Sequence, residues 1–243
     1  MSRVAAAICG ALLVLALAAG VVGRMHNVPT APTRADVWAV HEILRGTGHG
    51  GLRLVGGGTF ESQIRLIQAV QDAVLSIAPR NRGIPLGGRR EPADLLRAGH
   101  GLCYDRSRSI EKALAAARLP VRHVSVYSTR ETGSALVSLL TPGVPSHALS
   151  EVRTRRGWLV VGSNRRWISL RAGGVPVSMA QLARAAGREA LHWSDRVRVP
   201  PDPILRAPFT YVYGLYSRHG RFYPPMDPVP DVNWADFMDN FVH

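Results

Sequence analysis

The spacing of apolar residues changes several times along the chain, and each change predicts a different element. From Val4 to Gly23 the chain is uncharged and mainly apolar, bounded by Arg3 and Arg24. At about 1.5 Å per residue, such a run forms a helix just long enough to cross a bilayer. Ala16-Leu17-Ala18 also offers a small-residue cleavage site, so residues 1–23 read as a signal anchor or a cleaved signal peptide. Either reading sends the remainder of the chain out of the cytoplasm, membrane-anchored or free in the periplasm. Residues 24–35, "RMHNVPTAPTRA", carry prolines and no periodicity, which predicts a linker, with the folded part starting at Asp36.

Helical spacing then dominates as far as Pro120. "DVWAVHEILR" predicts a short helix. From Phe60, Ile64, Ile67, Val70, Val74 and Ile77 recur every three or four residues, the one-sided pattern of a packed helix, which stops at Pro79. "EPADLLRAGHG" predicts a short helix ending at Gly99 or Gly101. "YDRSRSIEKALAAARL" places Ile110, Ala113, Leu114 and Ala117 on one face before Pro120. Glycine-rich stretches at 48–58 and 83–88 separate these helices as loops. They carry no lysine or phosphate-binding motif, and so do not point to nucleotides.

Beyond Pro120 the period shortens. "VRHVSVYS", "HALSEVRT", "GWLVVGS" and "RWISL" are β-branched or alternating runs between turn residues, which predicts antiparallel strands. "SMAQLARAAG" reads as one more helix capped by Ser178. From Pro200 the proline- and aromatic-rich tail reads as an irregular wrap ending in a helix. Helices followed by strands, without βα alternation, place the chain in the α+β class as one domain over 36–243.

Composition narrows the function. The formal charge of +13 is almost wholly arginine, since Lys112 is the only lysine, and a basic surface favours anionic lipid or acidic polysaccharide. There is no basic run with interleaved aromatics and no recognition-helix pattern, so no nucleic acid is expected. No zinc spacing is present, and no cofactor is called for. Of the two cysteines, Cys9 lies inside the N-terminal apolar run. Cys103 is then the only cysteine of the exported part, which excludes an intramolecular disulfide there and leaves an intermolecular link, a free reactive thiol or a small buried side chain. Its place at a helix start favours a thiolate, because free backbone N–H groups and the helix dipole stabilise negative charge. Histidine is the natural base. His147 opens a strand after "TPGVPS", whereas His100 sits on the turn before Cys103 and His123 lies within a strand.

"GHGLCYDRSRSIEKALAAARLPVRHVSVY" and "SHALSEVRTRRGWLVVGSN" together resemble the transglutaminase-like superfamily of cysteine proteases and acyltransferases, over roughly residues 60–170. The resemblance implies a papain-like core of helices on an antiparallel sheet, with Cys103 as nucleophile and His147 as general base and later acid. The reaction implied is acyl transfer from a peptide, amide or ester substrate, most simply ended by water. In the family, an aspartate after the tryptophan-bearing strand orients the histidine. Here Gly162 stands in that place, followed by Ser163 and Asn164. Side chains alternate along a strand, so Gly162 and Asn164 share a face, and Asn164 is the candidate orienting residue. Among neighbours, Gln63, Gln68 and Gln71 are candidate oxyanion donors, more simply helix-surface residues. Asp105 complements the helix dipole, Glu151 and Arg153 read as a solvated charge pair, and Trp158 and Trp167 as core or cleft wall. The alternative function is a catalytically impaired envelope protein on the same scaffold, holding an anionic polysaccharide or an assembly partner.

Overall fold

The computed structural model describes residues 3–85, 88–186, 192–195, 197, 199–216 and 230–242. The apolar N-terminal run forms helix α1, Arg3–Met25. Its stretch Ile8–Met25 has a mean hydropathy of 2.1 with none of it buried, so α1 is long and apolar enough to cross a membrane. Helix α2, Arg34–Gly46, starts two residues before the expected Asp36, because Thr33 and Asp36 form a reciprocal capping box. Helix α3, Phe60–Ile77, follows the predicted stripe and buries Ile64, Ile67, Val70 and Val74. Helix α4, Pro92–Ala98, ends at Gly99, whose φ of 62° is the left-handed conformation that suits glycine at a helix end. Helix α5, Cys103–Ala116, comes next and runs almost wholly buried through the middle of the molecule.

Strands β1, Val121–Ser128, and β2, Ser146–Thr154, flank a short helix α6, Ala135–Leu140, and a tight hairpin joins β2 to β3, Gly157–Val161. After a small ribbon of β4, Leu170–Arg171, and β5, Val175–Pro176, come α7, Met179–Ala185, strand β6, Phe209–Tyr213, and α8, Trp234–Met238. The main sheet is antiparallel in the order β3-β2-β1-β6. Alternation along its strands divides the core in two. Val152, Leu159 and Val161 pack under α2, α3 and α5, whereas Val124, Val126, Leu149 and Val160 pack against Met179 and Leu182 of α7 and Leu205. Each such buried side chain stabilises the fold by about 1.5–3 kcal/mol. The architecture is α+β, as the element order predicts.

Three segments differ from their expected form. The linker at 24–35 is docked: Val28 N–H donates to Val232 O, Arg108 Nη2 to Pro29 O and Lys112 Nζ to Ala31 O, at 3.0, 2.7 and 2.8 Å. A segment without periodicity can still be ordered when buried cations on α5 need its carbonyls. The tail is not all irregular, because "FTYVY" supplies β6, which pairs along β1 from Ser128↔Phe209 to Val124↔Tyr213. "RWISL" yields only the two-residue β4, its Ile168 making a single bridge to Val161.

Candidate functional site

Helix α5 sets the site. Ser107 Oγ lies 3.0 Å from Ser150 Oγ, which fixes α5 over β2 so that the turn before Ser107 reaches the start of the strand. Cys103 is the first residue of α5 and His147 the second of β2, which brings the thiol close enough to bear electrostatically on the imidazole. The approach to the helix start is tight. A Cβ on Gly101 would sit 2.7 Å from Leu95 Cδ1 and 3.2 Å from Asp105 Cβ, so glycine is required there. Asp105 does more than complement the helix dipole. It is fully buried, accepts from Leu102 N–H at 2.8 Å and Ile84 N–H at 3.3 Å, and lies 3.1 Å from Arg90 Nε. It thereby ties the 83–90 loop to the helix start beside the thiol, and its burial pushes its carboxyl upward.

The side chain that meets His147 is Asp202. Its Oδ2 lies 3.3 Å from His147 Nε2, an ion-pair contact whose angle falls short of a hydrogen bond. Burial pushes the imidazole down, but Asp202 and Cys103 together outweigh it and raise the ring to about 9. At neutral pH the ring is therefore an imidazolium held between a carboxylate and a sulfur.

Asn164 does not orient His147: its Oδ1 accepts from Arg106 Nη1 at 2.8 Å. Arg106 also donates to Asn81 Oδ1, Ala78 O and Arg80 O, so Asn164 serves to hold a buried arginine. Gly162 cannot carry a side chain. A Cβ there would meet Arg165 O at 2.7 Å and Trp167 O at 3.0 Å, because the chain turns back on itself after β3. Ser163 is buried and donates to Ala148 O, which anchors the turn to β2 next to His147. Gln71 holds the same turn, its Nε2 reaching Gly162 O at 2.8 Å and Trp167 O at 2.7 Å, and is thus a strut, not an oxyanion donor. Gln63 is likewise structural, donating to Gly56 O and accepting from Arg155 N–H. Glu151 is not part of a solvated pair with Arg153. It is buried, bound by Arg122 from β1 and by Met179 N–H at 2.6 Å. Trp167 is core, as expected for one of its two readings.

Sequence reasoning missed Asp202 because it searched the end of β3. Asp202 lies in "PPDPILR", a stretch without periodicity, yet the sequence does carry a signal: an acidic residue between Pro201 and Pro203 has a backbone with little freedom. A cleft of about 520 Å³, walled by Asn81, Arg106, Asn164, Arg165 and Arg166, reaches Asp202. Cys103 and His147 are not part of that wall and are 5% and 6% exposed. Among the described residues no cluster of His, Cys, Asp and Glu has the makings of a metal site.

No protein-family model matches the chain, and no curated protein or solved structure matches it.

Proposed function

We propose that the protein is a transglutaminase-like cysteine acyl-transfer enzyme with a Cys103–His147–Asp202 triad, acting as an amide, peptide or ester hydrolase in the space outside the cytoplasm. The observation that carries this reading is one buried imidazole, contacted at Nε2 by Asp202 and electrostatically coupled to the thiol on the first residue of a buried helix. A papain-like core is the matching architectural reading, supported by a cysteine-bearing helix lying across the strand that carries the histidine.

The chemistry follows from these positions. The thiol proton resides on His147, giving a thiolate opposite an imidazolium. The sulfur attacks the acyl carbon, and the carbonyl π electrons move onto oxygen. The positive end of the α5 dipole, at whose first residue the sulfur sits, stabilises the developing negative charge. Collapse of the adduct expels the amine or alcohol, which takes its proton from His147, and leaves a thioester on Cys103. Water, deprotonated by His147, then attacks the thioester, releasing the acid and restoring the thiol. Asp202 holds the ring orientation and stabilises its charged form throughout. The reading of an impaired scaffold rests on the arginine-rich surface and on a missing aspartate at Gly162; Asp202, a carboxylate from elsewhere in the chain, answers the second ground.

The test is acylation with a p-nitrophenyl ester, followed by intact and peptide mass spectrometry of the full chain. A burst of nitrophenol matched by an acyl group on Cys103 is expected, with neither in the Cys103→Ala variant. Equal release by both proteins, with Cys103 unmodified, sinks the proposal.

A further inference from the structure

The face of the sheet edge away from α5 is unlike the rest of the surface. Helix α6 exposes Leu136, Val137 and Leu140 at 66%, 47% and 73%, and the last turns expose Met238, Phe241 and Val242 at 57%, 70% and 71%. Between them lies a mainly apolar cavity of about 880 Å³, whose walls include Leu139, Leu140, Leu215, Trp234, Phe237 and Phe241. Isolated exposed apolar residues are ordinary, but two neighbouring clusters sharing a cavity form a patch that needs a partner.

The connection to α1 identifies that partner. Trp234, a wall of the cavity, donates from Nε1 to Gly23 O at 2.8 Å, in the last turn of α1. Its ring lies 3.6 Å from the position a Gly23 Cβ would take. Val232, also in the wall, exchanges backbone hydrogen bonds with the chain leaving α1: Val28 N–H to Val232 O at 3.0 Å and Val232 N–H to His26 O at 2.9 Å. The patch is therefore built on the end of the helix that can cross a membrane, and is continuous with its exposed Val21, Val22 and Met25. Tryptophan at that position suits the boundary between headgroups and acyl chains. Exposed Arg24 and Arg184 stand beside it, the second in the cavity wall, and complement anionic headgroups.

We propose that this face is a membrane seat: α6 and the α8 end of the chain enter the acyl-headgroup boundary of the bilayer that α1 crosses, and lipid acyl chains fill the cavity between them. The domain then does not swing on a tether, and its cleft stands at a fixed height above the lipid. This inference rests on α1 being retained in the membrane and is independent of the chemistry at Cys103.

Spin labels on the full chain in nanodiscs of mixed zwitterionic and anionic lipid test it. In a Cys9→Ala, Cys103→Ala background, single cysteines replace Leu140, Phe241, Leu13 in α1, and Val55 and Val175 at exposed sites outside the patch. Power saturation compares access of oxygen with access of a water-soluble nickel complex. Labels at Leu13, Leu140 and Phe241 are expected to favour oxygen several-fold over those at Val55 and Val175. Labels at Leu140 and Phe241 as water-exposed as at Val55, with Leu13 in lipid, overturn the seat while leaving the anchor. Labels there shielded from both reagents indicate a protein partner or second copy and also overturn it. Loss of residues 1–23 from the exported protein overturns the seat together with the anchor.

Discussion

Two buried histidine-carboxylate pairs lie against helix α5, and they are built to opposite ends. In the middle of the helix, His123 Nδ1 lies 2.6 Å from Glu111 Oε1, while Tyr216 donates to Oε2 at 2.9 Å and Ser107 to Oε1 at 3.0 Å. The His123 ring stacks on Tyr216 with centroids 4.0 Å apart. Burial would raise the Glu111 carboxyl, but His123, Arg108 and Tyr216 outweigh it and hold it down. Both Glu111 oxygens have donors, none of them a thiol. At the N-terminal end, His147 and Asp202 meet at 3.3 Å with a poor angle, beside a thiol and a polar cleft. A closed network fixes the helix, and an incompletely satisfied one at its tip is left able to exchange a proton. Burial and pairing alone therefore do not distinguish the two histidines, and what His147 has in addition is a neighbouring thiol.

The largest effect expected is from Cys103→Ala, which should abolish acyl-enzyme formation and turnover while leaving the thermal unfolding midpoint close to that of the parent chain. Next, Asp202→Asn should lower turnover on the order of 10²- to 10⁴-fold, because the carboxylate that stabilises imidazolium is lost. If Asp202→Asn left the rate intact, the two histidine pairs would no longer differ in the way proposed. The opposite response should follow at the closed pair. His123→Ala strands Glu111 in the interior and should cost about 3–5 kcal/mol of stability by chemical denaturation. It should leave the rate per folded molecule unchanged.

The pH dependence separates the pairs further. His147 is raised to about 9 in the folded state from 6.5, so its contribution to stability is complete below pH 6.5 and is lost as pH rises through about 9. Activity should fall over the same upper range as the imidazolium loses its proton, and Asp202→Asn should move that limb to lower pH. The smallest effect is expected from Asn164→Ala. It removes one hydrogen bond from Arg106, worth about 1 kcal/mol of stability, and should not move the pH profile.

How much of this was legible in the sequence depends on how local each cause is. Cys103 at a helix start and His147 at a strand start are readable because periodicity and turn residues mark both element ends. Register does the rest, since Ser107 meeting Ser150 brings those ends together. The prolines around Asp202 mark a stiff segment, but its role was not readable, because only tertiary contact puts it at His147. The same applies to Gly162, which reads as a lost aspartate until the turn to Trp167 shows that no side chain fits. Strand β6 was within reach, since "FTYVY" between Pro208 and Gly214 is β-branched and aromatic. The docked segment at 24–35 was not, since its order comes from Arg108 and Lys112 on a distant helix.

The most direct test of the central claim is the rate of Cys103 alkylation by iodoacetamide against pH, on folded full-length protein carrying Cys9→Ala. A thiolate held by His147 and Asp202 should react at pH 6 about 10²-fold faster than a thiol with the ordinary pKa of about 8.5, and His147→Ala should abolish that advantage. A rate that rises only near pH 8.5 and is the same in His147→Ala would contradict the account.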